Sequence, residues 1–338
     1  MKILKLPFLA IAEIFKEMGF GEILKLSTCS SRIYHIIRYV KLDEIGVLLQ
    51  VAAEKSSVWS DKWNNLDKIV HLETLDKFEE GSTTMKIKMG GADFECTWTE
   101  NQLRIASQSH IENTIVIFHH VLNLIKFSEK IQLDLLLDSK EVDNFPIFEG
   151  VTATALRGES IDTNTVETFC LKYPSQKSMV LIPKLTSGLS PISPILKVEE
   201  ICFHGSEETI SLFLESFSGR IAFFRQAKCP VTSIVTFMRN WMTGSSHQSL
   251  EFLRVTFDIG FLINSRMIYD EFETETKNWD PTLRPGNYEF DSKTIGIEDV
   301  PKTIDCSYFL DIERHKDGKL ASFLVLPFQF QFYVWNIN

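Results

Sequence analysis

The 338-residue chain lacks an uninterrupted apolar run of the roughly 18 residues that a membrane-spanning helix needs. Residues 1–12 are similar to a secretory signal in their charged start and apolar content. Lys5 and Pro7 interrupt them, however, and Glu13 and Lys16 follow at helical spacing, so the segment predicts an amphipathic helix instead. We therefore expect an intracellular protein that has no membrane as partner.

Positive charge and paired cysteines are also scarce. Lys and Arg number 35 against 45 Asp and Glu, the formal net charge is -10, and the basic residues form no block, so we expect no nucleic acid as partner. The six cysteines are dispersed, without Cys-x-x-Cys pairs or histidines at metal-ligand spacing. This usage is typical of reduced thiols in a cytoplasmic or nuclear protein and predicts neither disulfides nor zinc.

The motifs on which enzymes depend are missing as well. Gly188-Leu-Ser190-Pro lacks the second glycine of a nucleophile elbow. Gly90-Gly91 is not followed by the Lys-Ser/Thr of a phosphate-binding loop. His119 and His120 are adjacent on a predicted helix, so their side chains point about 100° apart and cannot face one metal. We therefore expect no catalytic residues, no cofactor and no metal.

The first forty residues carry a distinctive pattern. An apolar helical stripe at positions 11, 14, 15 and 18 follows Leu6-Pro7, and it is interrupted by Gly19-Phe20-Gly21. A second apolar stripe, which ends at position 40, follows the segment Leu24-x-Leu26-Ser27-x-Cys29. Short amphipathic helices follow from this spacing. A bundle of about 40 residues buries too little apolar surface to be stable alone, so another surface should cover it.

This pattern resembles an F-box, which implies a domain over residues 1–42. The resemblance implies a Skp-family adaptor as partner and, through it, a cullin-RING ubiquitin ligase. A helical cap on a larger domain is the alternative. The residues that we assign to the adaptor-facing and supporting surface are Leu6, Pro7, Ile11, Ile14, Leu24, Leu26, Cys29 and Ile33.

Residues 43–110 are expected to form a connector and a β-meander. Apolar and polar residues alternate over 84–107 in short bursts, which Gly90-Gly91 and Glu100-Asn101 separate. An apolar segment at 45–51 predicts a strand or helix, and the polar run at 54–57 is expected to end it.

From residue 111 onward, amphipathic helices alternate with short apolar strands. The strands recur at intervals of roughly 20 to 30 residues, as in leucine-rich-repeat solenoids. The predicted fold class is α/β, or α+β overall: a small helical F-box, then a degenerate leucine-rich-repeat-like α/β solenoid over 111–338 with mainly parallel strands. The repeats lack the full consensus, so an ordinary α/β domain is the alternative. The predicted strands of the solenoid lie at 133–137, 152–156, 178–182, 199–203, 220–224 and 250–255.

The end of the chain departs from this alternation. Residues 270–288 are acidic and then rich in proline and glycine, which predicts a solvated loop. The alternating segments beyond it predict a β-rich C-terminal cap over the last apolar face.

A second resemblance lies at about residues 197–259, in the type 2 F-box-associated region that is common in nematode F-box proteins. A helix ending in Trp241-x-x-Gly244-Ser245 and a following Leu250-Glu-x-Leu strand carry it. We expect Thr232 or Ser233 to cap this helix, Gly244 to end it in a left-handed conformation, and Trp241 to lie in the core.

Together the two resemblances imply the substrate-recognition subunit of an SCF-type (Skp-cullin-F-box) ubiquitin ligase. An unidentified protein substrate should bind the concave or rim surface of the solenoid. Candidate contacts at or just after strand ends are His204, Arg225, Arg254 and Asp258. The alternatives are a non-ligase interaction module that the F-box tethers and a hydrolase-like α/β enzyme with an unrecognised site.

Overall fold

The computed structural model divides the chain into two compact units: unit 1 comprises Met1–Leu137 and Pro146–Thr152, and unit 2 comprises Asp138–Phe145 and Ala153–Asn338. This division falls inside the predicted 111–338 domain, and the predicted domain bounds remain predictions. The residues that the structure describes are 5–40, 42, 46–52, 55–62, 65–73, 84–99, 102–107, 110–125, 131–205, 207–290, 301 and 303–336.

The N-terminal part of unit 1 is helical. Helix α1 (Phe8–Glu17) begins directly after Pro7, whose ring fixes a backbone angle that suits a helix start. Helix α2 (Phe20–Cys29) follows Gly19, whose N–H donates to the Glu22 carboxylate at 3.1 Å. Helix α3 (Ser31–Tyr39) completes the bundle. The core of the three helices consists of Ile11, Phe15, Phe20, Ile23, Leu24 and Ile37.

A mixed sheet and one long helix follow in the described part of unit 1. The strands are β1 (Gly46–Ala52), β2 (Lys55–Lys62), β3 (Asn65–Glu73), β4 (Met85–Met89), β5 (Ala92–Thr99), β6 (Gln102–Ala106) and β7 (Ile131–Leu136), and the helix is α4 (His110–Leu124). Their order in the sheet is β7-β1-β2-β3-β6-β5-β4. Strand pairs β1–β7 and β3–β6 are parallel, and the others are antiparallel. The predicted meander is confirmed as β4, β5 and β6.

The apolar segment predicted at 45–51 is strand β1, which ends at Ala52, before the polar run, as expected. The sequence analysis did not predict, however, that Lys55, Ser56 and Ser57 begin a further strand, β2, which pairs with β1. Both serines are buried, and the Ser57 hydroxyl lies 3.0 Å from Nδ1 of His71 on β3. Small hydroxyl side chains with a cross-strand partner are tolerated inside a sheet, so polarity alone did not mark a loop here.

Unit 2 is built on parallel strands with helices between them. Strands β8 (Val151–Arg157), β10 (Ser178–Leu181), β12 (Glu200–His204), β13 (Ile221–Ala227) and β14 (Phe252–Phe257) lie side by side in this order, all parallel. Two short strands, β9 (Ser160–Ile161) and β11 (Lys184–Leu185), pair separately. The helices are α5 (Ser139–Asn144), α6 (Thr163–Lys172), α7 (Glu207–Ser216), α8 (Val231–Thr243) and α9 (Ser265–Glu271).

Antiparallel strands close this sheet, as the sequence predicts. Strands β15 (Lys277–Asn278), β18 (Leu310–Glu313), β19 (Leu320–Leu326) and β20 (Gln329–Val334) lie in this order, and β20 pairs with β14. Strands β16 (Asn287–Glu289) and β17 (Thr303–Asp305) pair with each other. The chain is thus a mixed α/β protein with a small helical N-terminal module, which confirms the predicted fold class.

The two faces of the unit 2 sheet have different covers. On one face, Phe213 of α7 packs against Phe203 and Phe224, with ring centroids 5.2 and 5.4 Å apart. On the opposite face, Phe223, Phe252 and Tyr333 join a cluster with Tyr288, Cys306 and Phe309, which come from β16 and from the chain after β17.

The solvated loop predicted at 270–288 was wrong in part. Glu271 and Glu275 pair with Arg239 of α8, at 2.9 and 2.7 Å. Arg284 has a fully buried side chain, and its Nη2 lies 2.8 Å from Oδ1 of Asp311 on β18. Because their partners lie far away in sequence, a local composition that is typical of loops gave no sign of this packing.

Candidate functional sites

The residues assigned to the N-terminal module separate into an exposed and a buried group. Leu6 is 41% exposed, and Pro7 and Cys29 are exposed as well. Ile14, Leu26 and Ile33 are half-buried, whereas Ile11 and Leu24 belong to the core. The exposed members include the residues before α1, and the buried members hold the helices together.

Two exposed apolar residues that the sequence analysis did not select extend this surface. Phe8 is 49% and Leu9 is 77% exposed, both in the first turn of α1. With Leu6 they form what we call the first-turn surface (Leu6, Phe8 and Leu9). Large apolar side chains clustered in solvent mark an interaction surface more often than single ones do. The signal was present in the sequence, since these positions lie outside the buried stripe at 11, 14 and 15.

The module is also covered from within the chain. Helix α2 contacts β3, β4 and β6, and α3 contacts α4. Lys25 of α2 places its ammonium 5.4 Å from the Trp98 ring of β5, a cation–π distance. Part of the surface expected to cover the helical bundle is therefore supplied by the strands and α4 of this same chain. The helices also pack on a larger domain, as in the alternative interpretation of a helical cap.

His120 of α4 connects this packing. Its Nε2 lies 3.2 Å from the Ser27 hydroxyl of α2, and its Nδ1 accepts from the Gly90 N–H at 3.4 Å. Its ring stacks on Tyr34 of α3 at 5.0 Å. The Ser27 hydroxyl donates to the Leu24 carbonyl, so Nε2 carries the proton and the imidazole is neutral.

Burial favours this neutral state and lowers the pKa of His120 to about 4. His119 is exposed and His120 is buried. The two adjacent side chains therefore lie in different surroundings. The buried one instead serves as a packing and hydrogen-bonding centre between the N-terminal helices and the sheet.

Three of the four residues assigned to substrate contact lie together in unit 2. His204 ends β12, Arg225 lies near the end of β13, and Arg254 lies within β14; all three line a depression of about 330 Å³. The strand register explains this. His204 pairs with Arg225, and Arg254 pairs with Phe223. Because Phe223 and Arg225 are two residues apart on β13, they lie on the same face of the sheet, and so do their pairing partners. We call this depression the carboxyl-edge pocket.

Asp258, the fourth residue, does not line the pocket. It follows β14 directly, its N–H donates to the Ala227 carbonyl at 3.1 Å, and its carboxylate lies 3.9 Å from the Lys228 ammonium. The sequence analysis missed the two further polar residues that line the pocket, Gln226 and Thr256. No sequence signal identified them, since their position depends on an irregularity in strand pairing.

The pocket contains two guanidinium groups and is partly shielded from water. Burial lowers the pKa of His204, and the positive charge of Arg225 lowers it further, so the ring is neutral near pH 7. Arg254 lies next to Gln329 on β20. Because a guanidinium only donates hydrogen bonds, the amide of Gln329 turns its oxygen toward Arg254, and this oxygen accepts from Nη2 at 2.6 Å.

A second depression lies at the amino ends of the same strands. It measures about 430 Å³ and is lined by Arg220, Glu251, Tyr288 and Trp335, among others. Arg220 donates to Glu251 at 2.8 Å and Glu199 at 3.3 Å, and it also pairs with the buried Glu200. This network joins the starts of β12, β13 and β14, which gives it a structural role.

The segment with the second resemblance is packed into the core of unit 2. Trp241 is fully buried, as expected, with its ring 5.1 Å from Phe332. Gly244 ends α8 with φ +72°, also as expected. The predicted cap was wrong: α8 begins at Val231 after Pro230, no side chain caps it, and the Ser233 hydroxyl instead lies 2.9 Å from that of Ser211.

The described part of the chain contains no group of three His, Cys, Asp or Glu side chains that could hold a metal. Its helices include none that is long and apolar enough to cross a membrane.

Burial raises the pKa of the Cys202 thiol to about 11, so the thiol beside the carboxyl-edge pocket is protonated at neutral pH.

Comparison with known proteins gives one family and one relative. The uncharacterized protein F59B2.9 of Caenorhabditis elegans is 23% identical over 350 aligned positions, which cover 96% of this chain and 75% of the relative. No solved structure matches the chain significantly. Residues 3–45 match the family described as "F-box domain". The chain therefore carries an F-box domain at its N-terminus, a domain that binds Skp1-family adaptors and is generally part of SCF-type ubiquitin ligases.

Proposed function

We propose that the chain is the substrate-recognition subunit of an SCF-type ubiquitin ligase. The observation that carries the proposal is the F-box domain at residues 3–45 together with its exposed first-turn surface. In this role the chain has no chemical step of its own. It raises the effective concentration of a bound target beside the subunits that transfer ubiquitin. The dispersed cysteines favour the cytoplasm or nucleus as its compartment.

The adaptor would bind the first-turn surface. Leu6, Phe8 and Leu9 keep between 41% and 77% of their accessible surface in water, so an adaptor groove could bury most of it. Burying a large apolar side chain completely contributes about 1.5 to 3 kcal/mol. Pro7 holds the chain before α1 in an extended conformation, and the buried Ile11 anchors the first turn of α1 in the core.

The other residues assigned in the sequence analysis would contribute less to adaptor binding or would belong to the target-binding site. Ile14, Leu26 and Ile33 are half-buried and could contact the adaptor at its margin, as could the exposed Cys29. Leu24 is buried and supports the fold. The target protein would bind unit 2, where His204, Arg225 and Arg254 line the carboxyl-edge pocket and Asp258 lies beside it.

Binding of the purified full-length chain to a Skp1-family adaptor tests this proposal. We expect the triple variant Leu6→Asp, Phe8→Asp, Leu9→Asp to lose binding by at least about a hundredfold, since three charges would have to be desolvated. The matched control replaces two exposed apolar residues of unit 2, Leu171→Asp and Ile192→Asp, and should bind normally.

The ligase role itself needs a second readout. A complex of the chain with adaptor, cullin and RING subunits should ubiquitinate proteins that bind unit 2, and the triple variant should not support this. Failure of the intact chain to bind the adaptor, or equal binding by the triple variant and the control, would contradict the proposal. Adaptor binding without ubiquitination of any bound protein would favour an interaction module outside a ligase.

A further inference from the structure

The crossover from β10 to β12 differs from the other crossovers between the parallel strands of unit 2. Helices α6, α7 and α8 lie in the crossovers that follow β8, β12 and β13. Residues 182–199, between β10 and β12, instead contain the short strand β11 and a 3₁₀ helix at Pro194–Lys197. The segment 186–193, which we call the crossover loop, has no helix or strand. Irregular chain therefore lies where the neighbouring crossovers have an α-helix.

The crossover loop contains both serines of the chain that a proline follows. The pairs are Ser190-Pro191 and Ser193-Pro194, and the sequence has no Thr-Pro pair. A proline lacks a backbone N–H and restricts the residue before it to an extended conformation, and proline-directed protein kinases select serines in this setting. From the sequence alone, the two serines are equal candidates for phosphorylation.

The fold buries one of these serines. Ser193 is 2% exposed, and its hydroxyl oxygen is buried without a hydrogen-bond partner among the described residues. Ile195 and Leu196 follow it in the 3₁₀ helix and lie in the core, at 0% and 2% exposure. Moving Ser193 out to a kinase would pull these apolar side chains into water, which opposes the movement. Ser193 is therefore shielded from modification.

Ser190 has open surroundings instead. It is half-buried, and the residues directly after it, Pro191 and Ile192, are exposed, Ile192 to 83%. On the other side, Gly188 is exposed too, and a Cβ added there would meet no atom within 4 Å. A second protein therefore has room to approach Ser190 from both directions along the chain.

The turn that contains Ser190 can open without disturbing the attachment of the loop. Ser193 N–H donates to the Ser190 carbonyl at 3.0 Å, and Ile192 N–H donates to the Ser190 hydroxyl at 3.4 Å. The attachment lies earlier: Thr186 N–H donates to a carbonyl of β9 at 3.0 Å, and the Ser187 carbonyl accepts from the first residue of α6 at 2.6 Å. Among the described hydrogen bonds, straightening residues 188–192 breaks the two within the turn and keeps the two that attach the loop.

We propose that Ser190 is a phosphorylation site of a proline-directed protein kinase. The inference goes beyond the proposed function and does not rest on it. In the reaction, the Ser190 Oγ bonds to the γ-phosphorus of ATP held by the kinase, and the bond from that phosphorus to the oxygen of the β-phosphate breaks. ADP leaves, and the hydroxyl proton passes to the kinase and then to water. The product adds a charge of about -1.5 to -2 two residues from the exposed Ile192, so an apolar part of the surface becomes strongly polar.

Incubation of the purified full-length chain with Mg-ATP and either a mitogen-activated protein kinase or a cyclin-dependent kinase tests the inference. Trypsin cuts after Lys184 and Lys197, so one peptide (residues 185–197) carries both serines, and its fragment masses distinguish the two positions. The control is the same peptide made synthetically, in which no fold buries either serine. We expect the ratio of the Ser190 rate to the Ser193 rate to be at least about tenfold higher in the folded chain than in the peptide.

Variants separate the roles of the residues. Ser190→Ala should remove most of the phosphate from the chain, and the matched control Ser193→Ala should keep it. Pro191→Ala should lose the modification, because the kinase depends on the proline. Thermal unfolding checks the placements independently: Ser190→Glu should change the melting temperature by at most about 2 °C, and Ser193→Glu, which buries a charge, should lower it by roughly 5 °C or more.

Several outcomes would overturn the inference. One is the absence of phosphate on Ser190 with both kinases, and another is a rate ratio that is the same in the folded chain and in the peptide. Full modification of Pro191→Ala would show that the proline has no part in selection. The reaction needs no adaptor, so phosphorylation of Ser190 in a chain that fails to bind the adaptor would contradict the proposed function and still support this site.

Discussion

Removing the charge of Arg284 should destabilise unit 2 more than any surface ion pair could. Its guanidinium donates to Asp311 through Nε at 2.9 Å and through Nη2 at 2.8 Å, and to the carbonyls of Pro285 and Cys306 at 3.0 and 2.9 Å. The guanidinium carbon lies 4.7 Å from the centre of the Trp335 ring. The side chains of Arg284 and Asp311 are 0% and 3% exposed, so water cannot replace either partner.

The expected magnitude follows from what remains after the change. In Arg284→Met, the Asp311 carboxylate stays buried with the Ser322 hydroxyl as its remaining side-chain donor. Loss of one partner from a buried ion pair costs about 3 to 5 kcal/mol of unfolding free energy, because the other charge is left without compensation. For a unit of this size, that is a fall in melting temperature of roughly 6 to 20 °C.

Thermal and urea unfolding of the full chain measure this effect. The double variant Arg284→Met, Asp311→Leu removes both charges and should recover most of the loss. The matched control is Arg239→Met, whose pairs with Glu271 and Glu275 are partly exposed to solvent and should contribute at most about 1 kcal/mol each. A cost for Arg284→Met no greater than that of the control, or a double variant as unstable as the sum of its singles, would refute the reasoning.

Three further predictions concern single residues. The His120 pKa of about 4 lies below the value of about 6.5 in an unfolded chain, so unfolding free energy should fall by up to about 3 kcal/mol as pH drops from 6.5 to 4. Urea titrations of His120→Gln should show a smaller fall, and parallel curves would contradict the assignment. Gly244→Ala should cost about 1 kcal/mol or more by calorimetry, because φ is +72° and the new Cβ would lie 3.1 Å from Lys316; Gly260→Ala, with open space around it, is the control. Gln226→Val should destabilise the chain and Gln226→Gly should not, because only glycine accepts φ 51° without strain; equal melting temperatures would argue against strain.

Much of the fold was predictable because buried parallel strands are short apolar runs. The predicted strands at 199–203 and 250–255 correspond to β12 and β14 within two residues at either end. Strand β2 was missed because serines and charged residues make up most of it, and its stability comes from pairing with two neighbours. Arg284 was missed because its counter-ion, Asp311, lies 27 residues away, beyond the reach of any local pattern.

The candidate sites were predictable to a different extent. His204, Arg225 and Arg254 were selected for lying near strand ends, and the lateral register of β12, β13 and β14 brings them into one pocket. Gln226 was not predictable, since a bulge leaves no mark on the alternation of apolar residues. Phe8 and Leu9 were visible as apolar residues outside the buried stripe. Only the structure distinguishes them from core residues, because exposure depends on neighbours that are distant in sequence.

The edge strands β15 and β4 also bear on how a partner can bind. In unit 2, β15 has two residues, Lys277 and Asn278, and in unit 1, β4 presents Lys86 and Lys88 to solvent. Very short edge strands and edge lysines oppose the addition of a foreign strand and so protect against aggregation. The same protection makes these edges poor templates for capturing a peptide through its backbone. Recognition is left to side chains, and specificity then depends on partner sequence more than on partner conformation.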